Sequence, residues 1–585
     1  MTAIATHSPV ITVDGSPLAS RWLDAVLSVR IERGFGLVGR SVLRFSDEGY
    51  GLSTTAVFDL GTTVKISDHE RSALMSGTVT GVSLQQSVNE QPELVVVVHD
   101  AAFKLARGTR VTTYLNATYS DIISQLAQAA GLTPDVISTS GVNEYLLQAG
   151  TDLAFLNSIM ERIGYVWWLE DDKRLTVKPA GASTATVDMK LGDELTEFNV
   201  RASGLRPTEV RVSGWDRDHQ QNILGSHATS QSGKAPAFAS KYATATTAIG
   251  TAPASAADWS PADASEASVI AQAQSDEWSA AAVVARGTCL INSKLKPAVT
   301  IKVSQAGPAS GEYLISEVEH VYGSSGFYTR FTAGPLRSSG LVDTLGPGQP
   351  DPGFAMPGLV IATITNVNDP DAAGRAKVTY AGIDGQIESP WARIVTLGAG
   401  AQRGVLFQPE VGDEVLVAFE RGDTRRPVVL GGLFSQKNTL PTTGVEQDKV
   451  KYRRLTSRLG HIVELADGVD DGTKHILLKL GTAEHRLRLG SDRFDIELAA
   501  GKPLTIKAGS AKFDINSSGD VTIEGNNVTI KATQALKLEG TSEATLKGTA
   551  KAAVQGMQVE VKGDATTSVE ASGQLSLKGG MVAIN

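Results

Sequence analysis

The chain has 585 residues, 41% hydrophobic and 20% charged, with a formal net charge of −9. That length exceeds what one hydrophobic core can organise, so three or more domains are expected. An acidic balance with no long basic run argues against nucleic acid or an anionic membrane surface as the main partner. The single cysteine, Cys289, rules out a disulfide framework within one chain and any multi-cysteine metal site, and reads as a small buried apolar residue. The opening MTAIATHSPV has no basic segment followed by an apolar one, and the longest aliphatic run, 94–98, is too short to span a bilayer. Synthesis in a cytoplasm without a signal peptide is therefore expected.

Residues 1–335 mix strands with a few helices. Thr118 and Asp121 form a capping-box pattern ahead of Ile122, Ile123, Leu126 and Ala130, and Gly131 ends that helix. A second helix starts at Thr151, carries Phe155, Leu156, Ile159, Met160 and Ile163, and stops at Gly164. YVWWLE and RLTVKP follow as a hairpin turning at Asp171 and Asp172. Trp167 and Trp168 are adjacent strand residues and point to opposite faces, so they pack rather than form one ligand platform. Residues 226–268, rich in Ala, Ser and Thr, read as a flexible surface insertion leading into a helix over SVIAQAQSDEWSAAAVVARG.

Residues 336–357 are rich in Gly and Pro and read as a linker. Residues 358–436 are dense in short strands: Val415, Val417 and Phe419 alternate, Gly422 and Asp423 turn the chain, and residues 428–430 return. Residues 437–500 hold further alternating strands. His461, His475 and His485 are spaced too irregularly for a metal motif on one element and read as exposed strand histidines.

From 501 to 585 an aliphatic residue recurs every seven to nine positions: Ile506, Ile515, Ile523, Ile530, Leu538, Leu546, Val554, Val561, Val569 and Leu577. A small residue follows most of them two positions later, which suits a short strand plus a bend and excludes long helices. One large aliphatic residue per unit is too little for an independent core. Three chains wound together would supply three at each level and leave no free edge, which predicts an intertwined trimeric β-helix with this series as its core. A single-chain β-solenoid is the alternative.

The segment SPWARIVTLGAGAQRGVLFQPEVGDEVLVAFERGDTRRPVVLGGLF closely resembles the oligonucleotide/oligosaccharide-binding (OB) barrel of VgrG-type spike proteins. The match rests on Trp391, Arg393, the run 409–415, Gly422-Asp423 and Arg426-Pro427, with NVNDPDAAGRAKVTY fitting the first strands. AAFKLARGTR, the helix pair and EYLISEVEHVYGSSGFYTRFTAG resemble the same family's hub, and SRLGHIVELADG with the octads resembles its needle.

The resemblance implies a mainly β, multidomain chain: a phage-hub-like domain over 1–335, linker, OB barrel, neck strands and needle. It implies a homotrimeric central spike that meets tail-tube and baseplate proteins through its hub. On sheath contraction the spike would pierce the target envelope, with transient contact with the target membrane and possible effector cargo. A PAAR-like tip protein is expected at an apolar end formed by Met581, Val582 and Ile584. The compact plan resembles extracellular phage-tail-like systems; a type VI secretion or prophage tail spike is the alternative. No phosphate-binding loop, nucleophile elbow, zinc-protease helix or CxxC occurs, so no catalytic, cofactor or metal residues are expected. Rivals of another class are a surface adhesin, disfavoured by the missing signal, and a polysaccharide-acting β-helix, disfavoured by the scatter of its charges.

Overall fold

The computed structural model describes residues 7–229, 237–238, 241, 250–257, 259–336, 358–383, 387–442 and 444–584. Strand takes up 43% of the chain and helix 12%, so the fold is mainly β, as expected. The chain divides into two compact units, Met1–Leu440 and Pro441–Asn585.

A 13-stranded sheet runs through the first unit. Its two halves join where Val26–Gly34 pairs antiparallel with Gly311–Gly323. One half closes over Trp22, Phe45, Phe58, Leu43 and Val96, with the Trp22 and Phe45 rings edge-on at 5.3 Å. The other closes over Ile301, Ile315, Phe331 and Cys289. Cys289 is buried, as the sequence suggested, and burial pushes its thiol up to about 12.

Between the halves in chain order lies a smaller α+β layer. Its Tyr119–Ala129 helix is capped as its sequence predicts: Thr118 Oγ1 accepts from Asp121 N, and the Asp121 carboxylate accepts from Thr118 N. The Asp152–Ile163 helix is capped by Thr151 and ends at Gly164, whose φ of 69° is the left-handed turn glycine allows. Trp167 packs into the helical core and Trp168 against Phe35 on the other face; both are buried. Each indole N–H is satisfied, Trp167 donating to Asn157 Oδ1 and Trp168 to Glu170 Oε1, both at 2.8 Å.

The helix expected over 268–287 runs instead from Ala264 to Ala281, capped by Asp263. Val283–Leu290 leaves the helix pattern because both its edges are taken, by Leu195–Ala202 and by Gly326–Ala333. Part of the expected insertion (230–236, 239–240, 242–249, 258) and linker residues 337–357 lie outside the described residues. Within the described part, Pro253–Ala256 is a strand parallel to Glu209–Val212 rather than a loop.

The barrel segment forms a five-stranded sheet in the order Lys377–Tyr380, Leu359–Asn366, Glu414–Phe419, Pro427–Gly432, Arg393–Ile394. Val415, Val417 and Phe419 are buried at alternate positions. Tyr145 and Leu147, from the Val142–Thr151 strand, complete the barrel's core.

In the second unit, five strands between Tyr452 and Glu497 form an antiparallel meander. Leu504–Ala508, Ala511–Ile515 and Val521–Glu524 form another. Among the described residues no strand ladder follows Glu524.

Candidate functional site: an unpartnered apolar face

Alternation decides the faces of the five-stranded meander. Leu455, Val463, Leu465, Ile476, Leu478, Leu487, Leu489, Phe494 and Ile496 all fall on one side, in cross-strand rows such as Leu465–Ile476–Leu489–Phe494. That side is uncovered: apart from Leu487, each of these residues is 44–58% exposed. The other side carries the ion pairs, set among Tyr452, Ile462, Ala466 and Leu477. Glu464, 2% exposed, accepts from Arg454 and lies 3.0 Å from His475 Nε2. The usual placement of apolar and charged side chains is thus inverted, the mark of a surface meant for a partner.

The three neck histidines correct the sequence reading. His461 Nδ1 accepts from Gly481 N at 3.0 Å and His485 Nδ1 from Ala499 N at 3.1 Å, so both tie turns and are only half-buried. His475 sits between Glu464 Oε1 and the Thr473 carbonyl, each at 3.0 Å.

The apolar face continues into the repeat. Leu504, Ile506, Phe513, Ile515, Val521 and Ile523 share one side of the next sheet, with Thr505, Lys507, Lys512, Asp514, Thr522 and Glu524 on the other. Here the first units pair with each other within the chain, because turns at Gly509 (φ 59°) and Gly519 (φ 92°) fold them back. Beyond Glu524 the pattern changes. Bends fall at 526–527, 533–534, 541–542, 549–550, 557–558, 564–565, 572–573 and 580–581. Each bend begins three residues after a row residue, and the two seven-residue steps, 523 to 530 and 554 to 561, recur in the bends. Ile530, Leu538, Leu546, Val554, Val561, Val569 and Leu577 are 62–79% exposed.

A second row was missed in the sequence. Val521, Val528, Leu536, Val559, Leu575 and Val582 stand two residues before a first-row position, hence on the same face of an extended chain, and are also exposed. The alternation itself was the available signal. Val582 and Ile584 occupy the same two places as Leu575 and Leu577, so they continue both rows, and Met581 sits in the bend.

In the first unit the barrel carries a different feature. Its 420–427 turn enters a crevice beside the Ala264–Ala281 and Asp152–Ile163 helices. Arg425 Nη1 donates to Glu266 Oε1 at 3.0 Å, and Arg162 Nε donates to the same oxygen at 2.7 Å. Arg425 also pairs with Asp423, and Arg425 and Arg426 cap the Ser260, Pro261 and Trp215 carbonyls. Burial pushes the Glu266 carboxyl up, but Arg425 and Arg162 outweigh it and hold the group at about 2. The sequence showed Gly422-Asp423 as a turn and Arg426-Pro427 only as part of the family resemblance, and gave no sign of this ionic junction.

Among the described residues there is no group of three or more His, Cys, Asp or Glu placed to hold a metal ion. Asp171, at the hairpin turn, is bound by Arg33 at 2.7 Å and Lys296 at 2.5 Å and serves structure.

Residues 4–323 match the family described as the Alg8 N-terminal domain. Residues 360–434 match the type VI secretion system/phage-baseplate injector OB domain. The chain belongs to the Alg8 N-terminal domain family and is of the VgrG spike type. Among VgrG proteins it is similar to the type VI secretion system spike protein VgrG3 of Vibrio cholerae, 35% identical over 75 residues. That covers 12% of this chain and 7% of the relative. It is also similar to the actin cross-linking toxin VgrG1 of Vibrio cholerae, 28% identical over 120 residues, 19% of this chain and 11% of that protein. The chain thus spans about a tenth or less of the length of these curated relatives. A structure of the Francisella PdpA–VgrG complex aligns at a TM-score of 0.49 and 9% identity over 89% of this chain and 88% of that one.

Proposed function

We propose that three copies of this VgrG-type chain form the central spike of a contractile injection system, with a mechanical and not a catalytic role. One observation carries the reading: the apolar side of the second unit stays uncovered from Leu455 through the repeat rows. A lone chain would leave that surface in water, whereas three copies related by a three-fold axis would turn it inward as a continuous core. Among the described residues no strand ladder follows Glu524, and neighbouring copies would supply backbone partners there. The core would comprise both rows, from Ile506 to Leu577.

In this reading the hub adapts the spike to tail-tube and baseplate proteins. A PAAR-like tip protein docks where the rows end, at Met581, Val582 and Ile584, and effector cargo is carried within the particle. The extracellular phage-tail-like class fits the plan best, and the spike crosses the target envelope when the sheath contracts. Light scattering on the purified protein tests the assembly. The expected mass is three times the 61.5 kDa of one chain; a stable, monodisperse monomer refutes the reading.

A further inference from the structure

In the repeat, the residues flanking each first-row position lie together on the face opposite the rows. Lys562 Nζ is 2.5 Å from Glu560 Oε1 across Val561, and Ser568 Oγ donates to Glu570 Oε1 at 2.8 Å across Val569. The same holds where the ladder is visible, with Lys512 and Asp514 in contact at 3.0 Å on the charged side of Phe513. Charges at these positions therefore line the outer surface, where each meets the strand stacked above or below it.

From Ile523 onward, where the chain stops pairing with itself, the position just after each first-row residue reads Glu524, Lys531, Glu539, Lys547, Gln555, Lys562, Glu570 and Lys578. The sign alternates unit by unit, and the only place where it does not is occupied by an amide between two lysines. Among the described residues no ladder follows Glu524, so strand neighbours are sought in other copies, and three stackings can be compared. Stacking like unit on like unit sets Glu on Glu and Lys on Lys at every charged level. A displacement of two units sets Glu524 on Glu539, Lys531 on Lys547, Lys547 on Lys562 and Lys562 on Lys578. A displacement of one unit makes every charged neighbour opposite, from Glu524–Lys531 to Glu570–Lys578, and places Gln555 between Lys547 and Lys562. Like charges directly opposite across strands destabilise a sheet and opposite charges support it. With three copies, a displacement of one unit per copy returns to the starting chain three units further on, so the stack continues without a mismatch.

We propose that each repeat unit pairs with the next unit of the neighbouring copy, and that the alternating charge column sets this one-unit stagger. The inference rests on the trimeric reading above.

Cysteine cross-linking in the full-length protein tests it. Facing residues on adjacent strands lie about 4.8 Å apart, within disulfide reach, and the sole native cysteine, Cys289, is buried. The double variant Glu539→Cys/Lys547→Cys, oxidised with copper–phenanthroline, is expected to run as a covalent trimer on a non-reducing denaturing gel. Each single variant is expected to run as a monomer. Light scattering of the same preparations separates the two claims. If the mass is that of one chain, the trimeric reading fails and the stagger with it. If the mass is that of a trimer but Glu539→Cys alone gives covalent dimers, or the double variant stays uncross-linked, only the stagger is overturned.

Discussion

His320 shows how one buried side chain ties stability to pH. It is 2% exposed, with Nδ1 2.9 Å from Thr329 Oγ1. Burial pushes it down, Arg33 and Lys296 push the same way, Asp171 opposes weakly, and the ring titrates at about 3. Above pH 6.5 neither the folded nor the unfolded chain holds this proton. Below 6.5 the unfolded chain takes it up and the folded one does not, so stability falls as pH drops from 6.5 towards 3. The slope contributed by this residue approaches about 1.4 kcal/mol per pH unit. Denaturant unfolding of the first unit between pH 7 and 5 should show it, and His320→Gln should flatten it. Glu266, held at about 2, works in another window: its contribution is complete above about 4.5 and is lost as pH falls towards 2. Neither residue stood out in the sequence, because burial depends on what packs over a side chain and not on its neighbours in the chain.

Among the elements, the barrel turn is the one whose role was least legible. Arg425 and Glu266 are 159 residues apart, and no local pattern relates them. Removing the shared acid leaves Arg162 and Arg425 buried side by side with one carboxylate fewer between them, Asp423 remaining on Arg425. Glu266→Gln is expected to lower stability by about 3–5 kcal/mol, measured by denaturant unfolding, with faster protease cleavage within 420–427. The helices at Tyr119–Ala129 and Asp152–Ile163 were legible almost to the residue, because capping groups and a terminal glycine mark their ends in the sequence itself. The Ala264–Ala281 helix was misread at its C-terminus because Val283 and Val284 suit a strand as well as a helix, and the sheet decided. In the meander between Tyr452 and Glu497, alternation revealed the strands but could not say which side would lack a cover. For the repeat, Leu538→Asp or Leu546→Asp puts a charge into the proposed core in every copy, at several kcal/mol per unpaired ion. The melting temperature is expected to fall sharply, while Lys537→Asp, on the outer face, stays close to wild type; equal tolerance of the two would show that the rows face outward.

At the scale of the whole chain, the mainly β class and the OB barrel followed from alternation and from a long local motif, whereas the second aliphatic row emerged only when the two faces were compared. Both rows run to Val582 and Ile584, so the proposed tip surface and the proposed core would be built from the same residues. Deleting residues 577–585 is expected to abolish co-purification of a PAAR-like tip while leaving the mass of the assembly at three chains. Retention of the tip by the truncated protein would place docking elsewhere.

The uncovered rows also bear on inheritance and dosage. If the second unit takes its fold only from its neighbours, a chain that is sound in its hub but faulty in its rows would enter assemblies and spoil them. In a cell making equal amounts of normal and Leu538→Asp chains, random mixing leaves about one assembly in eight free of the fault. A single altered copy should therefore act as a dominant poison of injection, out of proportion to its share of the protein, while a chain with a damaged hub that cannot assemble would be silent.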